Sequence, residues 1–341
     1  MSNKKNDLGW HTAGGSPRDI GRALGQAGRA AVNRHLLPAP IWQLVTAPAH
    51  AGRVARMAGA VQQRFPAIWA EIEGLAEGLG LPVTDVFAWN CRGDLLASTP
   101  DGCTTVLLPG GVPVLGHNED GLPFFRGHAF IADIRPDGAP GFRAFCYPGS
   151  IPGHTFAFTD AGLVQTVNNL RLTGVEPGLP RMVLGRAVLG AETLDMAITI
   201  LRDRPDSGGF HFALSHQRDR RILSVEYGAS EISVREITAP AVHANHALHH
   251  VYGLGHQIIT QSSGDRQRRG NALIAAGVTD PLSILRDEDG PGLPIRRDAA
   301  DDPDDENTLA TAILRVEKMG IDWRIHDRRS GDATYTGITP R

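Results

Sequence analysis

The sequence predicts an α+β fold in which two mainly antiparallel β-sheets pack face to face between layers of helices. Three observations predict it. The first hundred residues carry helical patterning, and from Thr104 the texture turns to short alternating or β-branched runs. Those runs are then interrupted by one helical block, without the regular β–α alternation of a doubly wound parallel sheet.

The elements follow in order. Ser16-Pro17 is a helix cap and first turn leading into an Ala-rich stretch to about Asn33, and further helices are predicted at Ala51 to Arg64, Pro66 to Leu79 and Val83 to Ala97. Strands are predicted at Thr104–Leu108, Val112–His117, His128–Ile134, Phe142–Tyr147 and Leu163–Val167, each bounded by Gly, Pro or Asp. Arg181–Leu189 and Glu192–Arg202 form the helical block, before strands resume at Phe210–Ser215, Ile222–Glu226 and Ile232–Ile237. A helix near Arg266–Ala276 and strands at Leu309–Val316 and Trp323–His326 close the chain. The acidic run Asp298–Glu306 lacks calcium-loop spacing, contains Pro303, and reads as a solvated surface loop.

A chain of 341 residues with 41% hydrophobic content can bury a substantial core, in one large domain or two smaller ones. Its net charge of -3, from 34 basic and 37 acidic residues, leaves no basic stripe for nucleic acid or an anionic membrane. The opening MSNKKNDLGW is polar and no membrane-length apolar run follows, so a cytoplasmic protein is expected. Cys91, Cys103 and Cys146 form no C-x-x-C pair, which argues against a disulfide framework, a cysteine zinc site or an iron–sulfur cluster. No cofactor and no metal is implied.

Asp101-Gly102-Cys103-Thr104-Thr105-Val106 sits where helical texture gives way to strand texture. Glycine before a strand-opening cysteine suits self-cleavage, because the missing side chain lets the thiol reach the preceding carbonyl and tolerates a strained turn. Attack would give a thioester that water hydrolyses, freeing the α-amine of Cys103. With a reference pKa of about 7.7–8.0 that amine can take the thiol proton and return it to a leaving amine, so no histidine partner is required. Taken alone, Gly-Cys-Thr also fits a small buried cysteine on a core strand.

The stretch DGCTTVLLPGGVPVLGHNED resembles the cleavage region of the penicillin (isopenicillin N) acyltransferase family of cysteine Ntn hydrolases, which includes the carcinine and β-alanyl-dopamine hydrolases. More distantly it resembles the bile salt and penicillin V hydrolases. EIEGLAEGLG (Glu71–Gly80) is similar to the helix ahead of the family's cut. YPGSIPG and GLVQTVNNL, between Tyr147 and Leu170, are similar to its central hairpins. HANHAL (His243–Leu248), SSGDRQRR (Ser262–Arg269), TLATAILRVE and DWRIHD extend the likeness, so that it runs from about Gly15 to the C-terminus.

The resemblance implies an αββα Ntn-hydrolase sandwich, made of a helical segment 1–102 and a catalytic chain 103–341 that stay together as one structural unit. It implies a self-processing zymogen cut between Gly102 and Cys103, with Cys103 the nucleophile. Asp120 would hold the new α-amine over the sulfur, and Arg266 would pair with Asp120 and favour the thiolate. Asn245 would donate its amide N–H to the oxyanion, and Asn168 would give the second donor or orient substrate. Thr105, Asn118 and Glu119 are the substrate-binding candidates on the same hairpin. Family members often carry Ser before the arginine where this chain has Asp265, which leaves Arg266 and Arg268 both open as the residue facing the site. Ordinary roles stand beside these: a surface ion pair for Asp120 and Arg266, turn positions for Asn168 and Asn245, and an exposed charge for Glu119.

His243, His246, His249, His250 and His256 invite a metal reading. A strand-like edge would send His243 and His246 to opposite faces, however, and no acidic residue lies within the cluster. The glycines of EGLAEGLG follow no strand, so a phosphate-cradling loop fails on context. Hydrolysis of a small linear amide is the expected reaction, with an acyltransferase on the same thioester as the alternative and an uncleaved histidine-rich binding protein as a rival of another class. The expected partners are a small amide or acyl-thioester substrate and the chain's own cleaved halves. A homo-oligomer is allowed, and no nucleic acid or membrane is expected.

Overall fold

The computed structural model describes residues 7–99, 102–203 and 206–340. The expectation for the first six residues, and Asp101 of the junction, lie outside the described residues.

The helical expectation for the first hundred residues is met by α1 (Pro17–Ala31), α2 (Pro40–Val45), α3 (Ala51–Arg64), α4 (Pro66–Leu79), α5 (Val83–Asn90) and α6 (Arg92–Leu95). Ser16 caps α1 by accepting the N–H of Asp19, with Pro17 at the first helical position where its missing N–H costs nothing. The glycines of EGLAEGLG have a packing role. A Cβ on Gly74 or Gly78 would fall on the backbone of α1 at Arg18 or Arg22, and one on Gly21 or Gly25 on the backbone of α4 at Glu71 or Leu75. The two helices therefore meet backbone to backbone, an approach only glycine permits.

Preceding α1 is β1 (Gly9–Gly15), which pairs parallel with β4 (Phe130–Pro136). GWHTAGG has neither alternation nor β-branched residues beyond Thr12, so nothing local announces this strand.

The texture change at Thr104 is the start of β2 (Gly102–Leu108), followed by β3 (Val114–Gly121), β4, β5 (Phe142–Cys146), β6 (Ala157–Thr159) and β7 (Leu163–Leu170). The helical block is α7 (Arg181–Val188) and α8 (Leu194–Arg202). Then come β8 (Gly209–His216), β9 (Ile222–Gly228), β10 (Glu231–Glu236) and β11 (Ala241–His243). They are followed by α9 (Val251–Gly255), α10 (Gln261–Ala275), α11 (Pro281–Leu285), β12 (Asn307–Glu317), β13 (Gly320–His326) and β14 (Tyr335–Pro340).

These strands form an eight-stranded sheet, in the order β1-β4-β5-β6-β7-β8-β9-β10, and a six-stranded sheet, in the order β11-β2-β3-β12-β13-β14. Apart from β1 with β4, the described pairings are antiparallel.

Strand alternation sorts the side chains of β2 and β3 into two cores. Leu107 and Leu115 join the large apolar core between the sheets, with Phe145, Phe212 and Leu314. Val106 and Val114 belong instead to a smaller cluster with Ile284 and Leu285 of α11 and Val242, beneath the helices on the outer face. On the far side, α7 lies against the eight-stranded sheet, where Gln165 of β7 donates to the Gly185 carbonyl of α7 at 3.4 Å, and α4 bonds to α7 through the Glu71–Arg186 ion pair at 2.8 Å. The order is helix, sheet, sheet, helix, as expected. No helix among the described residues is long and apolar enough to cross a membrane.

The acidic run Asp298–Glu306 is a largely exposed loop, as expected, but two of its carboxylates turn inward. Arg297 is fully buried, and the Asp302 and Glu306 carboxylates close around it, 4% and 1% exposed. A buried guanidinium needs such partners, and this one draws the acidic loop inward.

Candidate active site

Cys103 is the second residue of β2, opposite Glu119 on β3, and Gly102 stands opposite Asp120. Because successive residues of a strand face opposite ways, Cys103, Thr105, His117 and Glu119 share the inter-sheet face, while Gly102, Thr104, Asn118 and Asp120 turn toward α10 and α11. The junction is thus served from both faces.

From the helical side comes Arg266, fully buried on α10. Its Nη1 donates to the carbonyl of Cys103 and, at 2.9 Å, to the hydroxyl of Thr104; its Nη2 donates to Oδ1 of Asn245 at 2.7 Å and its Nε to Ser262 at 3.1 Å. The same Asn245 oxygen accepts the backbone N–H of Cys103 at 2.8 Å. Both partners of this oxygen are obligatory donors, so the orientation of the carboxamide is settled, and its Nδ2 faces the Asn169 carbonyl at 3.2 Å. Here Asn245 accepts from the backbone of Cys103, whereas the expectation from the sequence was a donor to the oxyanion. Arg268 is ruled out of the site: its side chain is 75% exposed and pairs with Asp265.

Asp120 accepts from Thr308 at 2.6 Å and, among the described ion pairs, makes none with Arg266. The two are coupled through space instead. Burial pushes the Asp120 carboxyl above its ordinary range, and Arg266 opposes that rise. Gly102 lies between Asp120 and Glu306, and a Cβ on it would overlap the Glu306 carboxylate. The physical requirement for glycine before the cysteine is therefore this crowding. Glu306 bonds Arg171 at 3.3 Å and Arg297 at 2.7 Å, yet burial pushes its carboxyl up to about 7.

From the inter-sheet side, Glu119 is 2% exposed, so it is not a strand-end surface charge. Its Oε1 accepts from the Tyr147 hydroxyl at 2.7 Å, and its Oε2 lies 3.6 Å from the Cys103 sulfur and 3.2 Å from Nε2 of His117. The proton positions around His117 follow from its neighbours. Asn168 donates its Nδ2 to the His243 carbonyl at 3.1 Å, leaving Oδ1 to accept the Thr105 hydroxyl proton at 2.7 Å. With its own proton spent, Thr105 accepts from Nδ1 of His117 at 2.9 Å. Burial drops His117 to about 3, so it is neutral near pH 7 and its Nε2 lone pair faces Glu119.

Three of the expected site residues lie away from the cavity at the sulfur. Thr105 and Asn168 are structural members of the inter-sheet polar core: Asn168 also meets His211 at 3.1 Å, and neither lines the cavity at the sulfur. Asn118 points the other way, donating to the Leu285 carbonyl at 2.7 Å and accepting from Thr311 at 2.7 Å, because it is out of phase with Glu119 on the same strand. The cavity at the sulfur has a volume of about 10 Å³, space for about one water molecule, and is lined by Cys103, Glu119, His154, Asn169, Arg181, Phe210, Arg92 and Met182. Asn169, Arg181, His117 and Tyr147 were missed. His117 alone carried a signal, being in phase with Glu119. A wider groove of about 1310 Å³ beside β13 and β14 is lined by Asp280, Arg315 and Asp322 and contains none of these residues.

The histidine cluster resolves into a buried network. Glu226 of β9 accepts from His243 at 2.7 Å and from the backbone N–H groups of Leu248, His249 and His250 at 2.7, 2.8 and 2.6 Å. His211 stacks on His243 with ring centroids 3.5 Å apart. His246 diverges to Ser263, but from a loop rather than the expected strand edge, since β11 ends at His243, and the acidic partner that the local sequence lacks arrives from another strand. Among the described residues no cysteine forms a disulfide; all three are buried, and burial pushes the thiols of Cys91 and Cys146 well up.

Known proteins resemble this chain over part of its length. Beta-alanyl-dopamine/carcinine hydrolase of Drosophila melanogaster is 28% identical over 166 residues, 42% of this chain and 43% of that one. Acyl-coenzyme A:6-aminopenicillanic-acid-acyltransferase 40 kDa form of Emericella nidulans is 30% identical over 135 residues, 38% of this chain and 37% of that one. The chain therefore spans under half the length of these curated relatives. Two variants of conjugated bile acid hydrolase from Clostridium perfringens align over 69% of this chain and 96% and 97% of theirs, at 13% identity and a TM-score of 0.41. The family model described as acyl-coenzyme A:6-aminopenicillanic acid acyl-transferase matches residues 107–330, and the chain belongs to that family.

Proposed function

We propose that this chain is a self-processing cysteine amidohydrolase that cleaves a small linear amide through a thioester on Cys103. The observation that carries the proposal is the convergence on one residue. The Cys103 N–H ends on Asn245, its carbonyl is held by Arg266, and its sulfur opens on a small cavity.

In processing, the sulfur attacks the Gly102 carbonyl carbon, the Gly102–Cys103 amide breaks, and the released nitrogen takes the thiol proton. Water then hydrolyses the thioester, leaving a Gly102 carboxylate and a free thiol. The freed amine keeps the Asn245 oxygen as acceptor and becomes the base for turnover. In turnover the thiol attacks the substrate carbonyl, the amine returns its proton to the leaving nitrogen, and water releases the acyl group. A substrate bearing an ammonium suits the Glu119 carboxylate in the cavity wall.

Transfer of the acyl group to a second amine is the alternative, supported by the likeness to a relative named as an acyltransferase. Mass spectrometry and N-terminal sequencing test the common core: fragments of 102 and 239 residues, together the 341 of the chain, with the larger beginning CTTVLL. Active enzyme that stays full length would overturn it. Product analysis with a panel of β-alanyl, arylacetyl and amino-acid amides, with and without added amine, then separates hydrolysis from transfer.

A further inference from the structure

We propose that Cys103, His117 and Glu119 form a binding site for a thiophilic divalent cation of the zinc class, overlying the nucleophile. Among the described residues, this is the set of His, Cys and acidic side chains whose ligand atoms converge, all lying within 4.8 Å of one another.

The spacing fits a tetrahedral ion. With zinc bonds of about 2.3 Å to sulfur and about 2.0–2.2 Å to nitrogen and oxygen, tetrahedral angles put sulfur and oxygen about 3.6 Å apart and nitrogen and oxygen about 3.4 Å apart. The observed separations are 3.6 Å from Cys103 Sγ to Glu119 Oε2 and 3.2 Å from His117 Nε2 to the same oxygen.

The ligands are also held as a metal site needs them held. Thr105 accepts from Nδ1 of His117, which fixes the tautomer that leaves the Nε2 lone pair pointing at Glu119. The Tyr147 hydroxyl donates to Oε1 of Glu119, and Oε2 is the oxygen turned toward Cys103 and His117. Cys103 and Glu119 line the same cavity as His154 and Phe210, whose volume of about 10 Å³ is space for about one water molecule as a fourth ligand.

Charge completes the argument. A thiolate, a carboxylate and a neutral imidazole around a divalent cation sum to zero, the only inexpensive state for an ion so deeply buried. A sulfur bound to the ion cannot attack a carbonyl, so zinc would be a reversible inhibitor. That consequence rests on Cys103 being the nucleophile; the binding itself does not.

The test is titration of the purified full chain with cobalt(II), read by the near-ultraviolet thiolate-to-cobalt charge-transfer band, followed by displacement with zinc. One equivalent should bind. The band should vanish in Cys103→Ser and persist in Cys146→Ser, and the affinity should fall at least tenfold in both His117→Ala and the isosteric Glu119→Gln. No band in the parent chain, a band that survives Cys103→Ser, or unchanged affinity in Glu119→Gln that retains the parent circular dichroism would overturn the site. Zinc binding with undiminished amide turnover would support the site and count instead against Cys103 as the nucleophile.

Discussion

The backbone N–H of Cys103 ends on the side-chain oxygen of Asn245, 2.8 Å away, and Arg266 donates to the same oxygen. One carboxamide thus ties the nucleophile's own nitrogen to a buried cation. In Asn245→Ala that N–H and one guanidinium nitrogen lose their acceptor inside the protein, a loss worth about 1–3 kcal/mol for each unsatisfied group. Processing should slow at least tenfold and the urea midpoint should drop. Asn245→Asp keeps an acceptor and should process faster than the alanine variant. Intact mass over time gives the processed fraction. An alanine variant that cleaves and unfolds like the parent would mean this bond positions nothing.

Arg266 and Arg268 should separate sharply. Arg266 is buried with every described contact on the junction or its supports, and Arg268 is on the surface. Arg266→Ala should move alkylation of Cys103 to higher pH, because a nearby cation favours the thiolate. Arg266→Lys should rescue little, since one ammonium cannot span Cys103, Thr104 and Asn245 together. Arg268→Ala should leave the alkylation profile and the processed fraction unchanged. Peptide mapping after alkylation of the folded protein should find label on Cys103 and not on Cys91 or Cys146. Equal profiles for the two arginine variants would remove Arg266 from the site.

What could be read in the sequence, and what could not, divides along the range of the interactions involved. Helices α3 and α4 have the expected bounds, because caps and apolar periodicity are local signals. Strands β1, β6, β11 and β14 were missed: two of them have three residues, and β1 exists through pairing with a strand more than a hundred residues away. Within the site, Cys103, Asp120 and Glu119 were legible because a hairpin places them. Asn118 was misassigned by treating Asn-Glu-Asp as a unit, when alternation separates Asn118 from Glu119. Glu226 under the histidines and Glu306 beside Gly102 were illegible for a different reason: each is delivered by a strand register or loop that no local pattern encodes.

Gly102 offers a steric test. A methyl group there would overlap the Glu306 carboxylate and lie 3.2 Å from the Cβ of Asp120. Gly102→Ala should therefore shift the junction away from Arg266 and Asn245 and slow self-cleavage at least tenfold, while the fold persists. Gly111→Ala, with nothing within 4 Å of the added carbon, is the control and should process normally. Equal cleavage of the two variants would show that the junction has more room than its neighbours allow.

Glu306 makes stability depend on pH in a direction opposite to that of an ordinary paired carboxylate. Its carboxyl, near 4.5 when unperturbed, is pushed up to about 7 in the fold, by burial first and by neighbouring Asp120 as well, against the pull of Arg171, Arg266 and Arg297. Below about pH 4.5 both the folded and unfolded chains hold this proton, and the contribution is fully present. Between there and about pH 7 the unfolded chain gives up the proton that the fold retains, so stability falls as pH rises. Above that range both states are ionised and the loss is complete, about 3 kcal/mol from a shift of this size. Urea unfolding of Cys103→Ala, a background expected not to process, should accordingly give a lower free energy at pH 8 than at pH 5. Glu306→Gln in that background cannot titrate and should flatten the slope. It should not abolish it, because Asp120 is raised by burial too and adds a decline of the same sign. A Glu306→Gln chain whose stability falls as steeply as its parent's would assign the whole pH dependence to other groups and leave the Glu306 carboxyl ionised in the fold at neutral pH.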